Sequence, residues 1–457
     1  MVVRCGAFLI LSSKCISIDW LQCTLVKACQ YGILFLILIS LSLIPVPWRN
    51  QVIMFVYFFY AIWYFIQCWI ALYLALPFIF LLVYFFKRIF GLRYSIADKT
   101  PTIKKDFDFA AIVTAHKEIR LIPPLVDSLC KQSYSNFKVY VVADGCDISS
   151  LHFEDPRIIV LKPEQDLNSK IKSIDYALNN FTRMHDALVI FDSDNLVHPD
   201  FMQVLNLYFK QGFRAVQTNL QPKNTDTLYS RLDSIGDIFY NFTEREMRME
   251  LGLSSAIWGL GIAIETALYK EIIYNHFLGG FDKRIQSDIV QKIPQLAFAR
   301  EALVYDEKII DGKALQTQRT RWISTYLKYM SLSWGMFFKG LIKLNFNMTY
   351  FGFINLRPPL FIVMLLSFVF CIINFFINET LGYAWLVLII VFFCSFFSIV
   401  AINSNDKRII RSIFFMPLFI LRQILALLKI KKADKSFLKT EHSKVIFIDE
   451  LLKHEHI

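Results

Sequence analysis

Long apolar runs bracket a central stretch in which apolar residues come only in short blocks, and that contrast divides the chain before any motif is considered. Gln30–Trp48 is the first run able to cross a bilayer, and Val52–Phe86 is the second. The second is longer than the roughly 20 residues a crossing needs. It predicts one tilted helix with an interfacial lead-in, rather than two short spans breaking near Pro77. Beyond the central stretch lie Pro359–Ile377 and Gly382–Ile402, joined by a turn at Asn378, Glu379 and Thr380. A further stretch, Ile409–Leu428, contains Arg411, Pro417 and Arg422, so it either spans or lies in the interface. Near the start, the apolar patch Ala7–Leu11 is too short to act as a signal-peptide core.

The central stretch has a different period. Phe109–Thr114, Lys138–Ala143 and Ala187–Phe191 read as buried strands, and Leu125–Lys131 and Ile171–Phe181 as helices between them. Strands alternating with helices predict a mostly parallel sheet. Ile323–Asn345 then mixes Trp, Tyr and Phe with spaced lysines, as a helix in the headgroup region would. The expected organisation is an N-terminal segment (1–29), transmembrane helices (30–90), an α/β domain (91–322), interfacial helices (323–356), transmembrane helices (357–430) and a basic tail (431–457).

Composition supports the membrane reading. Of the 457 residues 55% are apolar and 44 are phenylalanine, more than one water-soluble core needs. The formal charge of +11 could serve nucleic acid, an anionic membrane surface or an anionic substrate. No long Lys/Arg run with interleaved aromatics occurs, so no nucleic-acid partner is expected. The basic residues instead flank the apolar runs, at Lys87, Arg88 and Arg93 and again at Lys407, Arg408 and Arg411. By the positive-inside rule residues 88–356 face the cytoplasm, which makes this a multi-pass protein of the inner or plasma membrane. The nine cysteines show no C-x-x-C and read as reduced, mostly buried apolar residues.

The chemistry gathers at strand ends. Ligands of an open parallel sheet bind beyond the carboxyl ends of its strands. Glu118 follows the first strand, and Asp144 closes Val141-Val-Ala-Asp144. Either could equally be a strand ending in a solvated turn. Asp192 and Asp194, one residue apart after Ala187-Leu-Val-Ile-Phe191, can offer oxygens to Mg²⁺ or Mn²⁺ together with a diphosphate. An Asx-type turn would look the same. In Gln318-Arg-Thr-Arg321-Trp322 the arginine suits bidentate phosphate contact and the tryptophan offers a flat face to a sugar. A helix starting at a membrane interface would also be rich in both. Trp258-Gly259-Leu-Gly261 is either an acceptor-lining segment or a tight loop in which only glycine fits.

In order, Glu118, Asp144, Asp192/Asp194, Asp288 and Gln318/Arg321/Trp322 resemble the family 2 glycosyltransferases of cellulose, chitin and hyaluronan synthase type. Ser169-Lys170-Ile-Lys-Ser-Ile-Asp-Tyr-Ala-Leu178 is similar to that family's Gly-Lys-x-x-Ala-Leu segment, and Lys439-Thr-Glu-His442 to a tail motif of its membrane-bound members. The resemblance spans roughly residues 30–445. It implies an α/β GT-A fold, Rossmann-like with a mostly parallel sheet, as a cytoplasmic domain inserted between transmembrane helices. It also implies an inverting, processive enzyme that draws on a UDP-sugar of UDP-GlcNAc or UDP-Glc type and extends a β-linked polysaccharide. The partners would be the donor, a glycan or lipid-linked acceptor, and the bilayer; the cofactor would be Mg²⁺ or Mn²⁺. Residue by residue, Glu118 and Asp144 would hold the uracil end with Lys170 nearby, Asp192 the nucleotide, and Asp194 the metal. Asp288 would be the catalytic base, Arg321 the diphosphate clamp, and Trp322, Gln318, Gly259 and Gly261 the acceptor site. Two departures stand out: Gln286-Ser287-Asp288 replaces Thr-Glu-Asp, and Ser169 replaces the glycine before Lys170.

Two rivals remain. One is transfer of a single sugar to a lipid carrier or glycan acceptor, by enzymes that often lack the Arg-Trp motif. The other is a transporter or receptor, which would place ionisable residues inside the spans. His116, His152, His185 and His198 have no zinc-like spacing and read as surface or turn residues.

Overall fold

The computed structural model describes residues 46–273, 281–427 and 444–455. The span expected at Gln30–Trp48 falls outside these residues except for its last three, and the 439–442 motif falls outside them entirely. Contacts divide the described chain into two compact units, one running up to Leu74 with Met364–Ile390, the other Ala75–Val363 with Val391 onward.

The elements follow the expected alternation: α1 (Val46–Ile89), β1 (Phe109–His116), α2 (Ile122–Cys130), β2 (Phe137–Asp144), β3 (Ile158–Leu161), α3 (Lys170–Asn179), β4 (Ala187–Asp192) and β5 (Leu196–Val197). Then come α4 (Phe201–Lys210), β6 (Ala215–Pro222), α5 (Leu228–Asn241), β7 (Ile262–Glu265), α6 (Thr266–Ile273), α7 (Phe281–Lys292) and β8 (Ala297–Asp306). The chain continues through α8 (Gly312–Ile342), α9 (Phe346–Asn355), α10 (Leu360–Ile377), α11 (Glu379–Asn403), α12 (Met416–Leu427) and α13 (Ile448–Glu455).

The strands form one eight-stranded sheet in the order β3-β2-β1-β4-β7-β6-β8-β5. Strands β3, β2, β1 and β4 are mutually parallel, β7 runs antiparallel to β4 and β6, and β6 and β8 are parallel again. The centre is apolar on both faces, as a sheet covered on both sides requires. Phe109, Ala111 and Val113 enter one core with Leu125 and Phe201, while Ala110 and Ile112 enter the other with Ile174 and Ile289. The register sets His116 opposite Asp144 and Thr114 opposite Asp192, so the chemistry-bearing ends share one edge.

Three described helices are long and apolar enough to cross a membrane: Tyr57–Ile89 within α1, α10 and α11. Helix α1 runs unbroken through Pro77, as the single-helix reading expected. Asn378 alone separates α10 from α11. In the unit containing Met364–Ile390, Gln67 Oε1 accepts hydrogen bonds from Asn374 Nδ2 at 2.6 Å and Trp385 Nε1 at 2.7 Å. Polar side chains bind apolar helices in this way where hydrophobic contrast is lacking. Helix α8 opens at Gly312, capped by the Asp311 carboxylate on Lys313 N and Ala314 N, so Gln318–Trp322 lies inside the helix rather than at its start.

Two sequence readings are corrected. His185 is buried: its ring nitrogens meet Asp108 Oδ1 at 2.6 Å and the Tyr140 hydroxyl at 2.9 Å. Of the described cysteines only Cys146 and Cys371 are buried, while Cys68 and Cys394 lie exposed on apolar helices.

Candidate active site

Asp144 ends β2 with 1% of its surface exposed, and both its oxygens are engaged. Oδ1 accepts from Leu167 N at 2.6 Å, and Oδ2 from Asn168 N at 2.9 Å with His116 Nδ1 also 2.9 Å away. Its own carbonyl accepts from Lys117 N. Lys117 and Asn168 adopt left-handed backbone, φ 56° and 50°, a strained geometry that the Asp144 contacts hold in place. Glu118 follows directly, half-buried, with Oε1 taking Arg120 N at 3.0 Å.

Beside this turn, the opening residue of α3 links three elements. Lys170 Nζ donates to Asp192 Oδ1 at 2.5 Å and to the Gly259 carbonyl at 2.9 Å. Asp192 N in turn donates to Asn195 Oδ1 at 2.9 Å, which fixes the turn carrying Asp194. Asp192 is half-buried and Asp194 is buried.

The Trp258–Gly261 loop is set by its backbone. Gly259 has φ 85° and Gly261 φ 60°, both left-handed. A Cβ on Gly261 would lie 2.4 Å from Thr218 Oγ1 and 2.9 Å from Val304 Cγ1. Conformation alone therefore demands glycine at Gly261. Gln217 Oε1 receives Trp258 N, and Gln286 Oε1 receives Ile257 N, which ties α7 to the same loop.

On α8, Trp322 packs against Trp258 with ring centroids 6.0 Å apart. Arg319 covers Trp322 at 4.2 Å and Arg245 covers Trp258 at 4.2 Å, so two indoles tilted by 55° lie between two guanidinium groups. Burial pushes Arg245 down to about 9. Arg321 keeps solvent access, yet partial desolvation pushes its pKa below the ordinary value, against the opposing pull of Asp192 and Asp282. Gln318 lies on the same helix, half-buried. Asp288 is half-buried on α7, with Arg284 Nε 3.7 Å from its Oδ2. Its two altered neighbours point inward: Gln286 holds the loop, and Ser287 Oγ meets Met336 Sδ at 2.9 Å.

The structure thus brings together Asp192, Asp194, Lys170, Gly259, Trp322 and Arg321. Among the described residues, no group of three or more His, Cys, Asp or Glu side chains could hold a metal ion. The donor set still fits a cation that arrives with a diphosphate, because Mg²⁺-like ions commonly take one or two carboxylates plus substrate phosphates. Asp194, with Asp192 beside it, would supply those carboxylates.

Sequence reasoning missed several polar residues here. Asp306 ends the apolar strand β8, the same signal that singled out Asp144 and Asp192, and Asn195 directly follows Asp194. Asp306 Oδ1 accepts from Asn195 Nδ2 at 3.3 Å.

The α/β domain thus sets carboxylates at the ends of its parallel strands beside a Lys–Asp–Arg cluster. Residues 107–325 match the family model of glycosyltransferase like family 2. The chain is a glycosyltransferase, and this segment, a little under half of it, is a domain like those of family 2. No curated protein matches the sequence. Among solved structures, the chain is similar to the mannosyltransferase PcManGT from Pyrobaculum calidifontis in complex with GDP-Man and Mn²⁺. That match has 13% identity and a TM-score of 0.45, over 80% of this chain and 99% of that one. It is also similar to S. aureus TarS 1–349 with UDP-GlcNAc, at 17% identity and a TM-score of 0.33 over 44% of this chain and 59% of that one. A third is GalNAc-T7 with UDP, GalNAc and Mn²⁺, at 13% identity and a TM-score of 0.35 over 44% of this chain and 43% of that one. The chain thus spans less than two thirds of the TarS and GalNAc-T7 structures.

Proposed function

We propose that this glycosyltransferase is a multi-pass membrane enzyme, with its catalytic domain in the cytoplasm, that uses a UDP-sugar of UDP-GlcNAc or UDP-Glc type to extend a β-linked polysaccharide by inverting, processive transfer. One observation carries the reading. Lys170 joins Asp192 to the Gly259 carbonyl, next to the Trp258–Trp322 pair, while Asp192 acts on Arg321. The donor clamp and the aromatic acceptor floor share one site in this reading.

In this reading Glu118 binds the uracil end, with Asp144 ordering the turn behind it and Lys170 alongside. Asp192 contacts the nucleotide and Arg321 clamps the diphosphate. Asp194 holds a divalent cation, Mg²⁺ or Mn²⁺, which when bound neutralises charge on the leaving UDP. Asp288 takes the proton from the acceptor hydroxyl as that oxygen attacks the anomeric carbon and the bond to UDP breaks. Trp322 floors the acceptor sugar, flanked by Gln318, Gly259 and Gly261. Transfer of a single sugar to a lipid carrier or glycan is the alternative.

Purified full-length protein with Mn²⁺ or Mg²⁺ and a panel of UDP-sugars tests this through UDP release and product size. The expected result is UDP release with one donor and a polymeric product. Asp288→Asn should lower kcat by roughly 10²–10⁴-fold, the range for losing general acid–base assistance. No release with any donor would sink the function. Full activity in Asp288→Asn would sink the base assignment, and products stopping at one sugar would favour the alternative.

A further inference from the structure

Behind the Asp192–Asp194 turn lies a buried cluster of charges drawn from five elements. Its hub is Lys308, two residues past β8, with 3% of its side chain exposed. Lys308 Nζ donates to Asp237 Oδ2 at 2.6 Å and to Asp306 Oδ2 at 2.9 Å. The Lys308 main chain is pinned from both sides by Asn224, whose Oδ1 accepts from Lys308 N at 2.7 Å while its Nδ2 donates to Lys308 O at 3.1 Å. The other carboxylate oxygen of Asp306 takes Asn195 Nδ2 at 3.3 Å, and Asn195 Oδ1 takes Asp192 N at 2.9 Å. Lys223, at the end of β6, donates to the Asp194 carbonyl at 3.1 Å.

The cluster continues away from the strand ends. Asp237 and Asp233 lie one turn apart on α5, and Asp233 is ion-paired with Arg319, whose guanidinium covers Trp322. Hydrogen bonds and ion pairs thus lead from the turn after β4 to Asp237 and from Asp233 to the tryptophan on α8, and Arg319, paired with Asp233, also acts on Asp237 across the gap between the two carboxylates. Burial alone would push the Lys308 ammonium towards neutrality, but Asp237 and Asp306 more than reverse this and hold it charged. A charge kept in the interior at that desolvation cost needs a reason beyond packing, because apolar replacements of buried pairs are often as stable.

We infer that Lys308 is a positioning residue, which through Asp306 and Asn195 fixes the Asp192–Asp194 turn and through Asp237, Asp233 and Arg319 fixes the Trp322 face, so that donor and acceptor geometry are set together. The inference rests on the function proposed above.

Removing the lysine alone strands the Asp237 and Asp306 carboxylates, so Lys308→Met is expected to lose stability. Lys308→Met/Asp237→Asn removes one carboxylate together with the ammonium, keeps the net charge of the cluster unchanged, leaves Asp306 its Asn195 contact, and is the decisive variant. Two properties are read on full-length protein: binding of UDP with Mn²⁺ by calorimetry, which needs no turnover, and kcat with the active donor. We expect the double variant to be folded, to bind UDP–Mn²⁺ at least tenfold more weakly and to lose kcat at least tenfold. Restored folding with wild-type binding and kcat overturns the positioning role and leaves Lys308 a stability element. Loss of kcat in proportion to a smaller folded fraction, with binding per folded molecule unchanged, overturns it equally. If wild-type protein itself binds no UDP–Mn²⁺ and releases no UDP from any donor, the function fails and the inference fails with it.

Discussion

The two halves of the sheet do different work. In β3-β2-β1-β4 all neighbours are parallel, every buried run is apolar, and each chemistry-bearing carboxylate sits at a strand end or two residues past it. In β7-β6-β8-β5 the directions are mixed, β6 and β8 shift register between Thr218 and Asn219, and the strand ends lead into a buried charge cluster. The parallel half presents carboxylates to a ligand. The mixed half holds the frame behind them: Gly261 N donates to Ile190 O, and Thr218 Oγ1 to Gly261 O. The two halves therefore contribute differently, carboxylates from one and frame from the other, and substitutions should separate along that line except where the charge cluster joins the two.

The largest effect is expected in the parallel half. Asp194→Asn and Asp192→Asn should each lower kcat/KM roughly a hundredfold or more, the scale of losing one preorganised electrostatic contact. Neither removes apolar contact, so the unfolding midpoint should stay within a few degrees of wild type. Steady-state kinetics across a Mn²⁺ titration, beside thermal unfolding in the same detergent, checks both statements. An Asp194→Asn enzyme that keeps its activity and its Mn²⁺ dependence would remove that residue from the metal site.

Backbone substitutions in the mixed half, unlike changes to its charge cluster, should answer first in stability. Gly261→Ala forces an L residue into φ 60° against Thr218 and Val304. The left-handed backbone alone costs about 1–2 kcal/mol, and the contacts add to it. An unfolding midpoint lower by about 5–10 °C is the expected outcome. Gly252→Ala, at φ 70° but facing open space, is the comparison and should lose less. Equal losses in both would mean that the close approach at Gly261 contributes nothing.

The same division explains what the sequence revealed. The apolar blocks ending in Asp144 and Asp192 are local signals, and the expected strands Lys138–Ala143 and Ala187–Phe191 lie within the observed β2 and β4. The roles of Lys308, Asn195 and Arg319 were not legible, because they depend on contacts such as Lys308–Asp237 and Arg319–Asp233 between residues far apart in the chain. Asp306 is the instructive omission, since it ends an apolar strand just as Asp192 does. Gln286 and Ser287 register as departures from a motif in the sequence. Their inward hydrogen bonds, to Ile257 N and Met336 Sδ, supply the physical account.

The smallest effect probes the opposite edge of the parallel half, where β1, β2 and β4 begin. His185 is closed in there between Asp108, which faces Nδ1, and the Tyr140 hydroxyl, which faces Nε2. Tyr140 also meets Thr182 through its main-chain N–H at 3.0 Å and its hydroxyl at 3.1 Å. The neutral ring satisfies both contacts, with Nδ1–H donating to Asp108 and Nε2 accepting from Tyr140. Burial lowers the His185 pKa below its ordinary value, with Arg183 and Lys138 adding to the shift and Asp108 opposing it. The unfolded chain, with a histidine near 6.5, then takes up a proton before the folded chain does. This part of the stability is present above that pH and is lost as the pH falls towards the folded pKa. Wild-type protein should lose more of its unfolding midpoint between pH 7.5 and 5.5 than His185→Gln, whose amide keeps hydrogen-bonding capacity without titrating. Activity per folded molecule at pH 7.5 should match in the two proteins, since the site lies at the other ends of these strands. A variant whose midpoint falls as steeply as wild type would show that the buried neutral histidine is not the group being titrated.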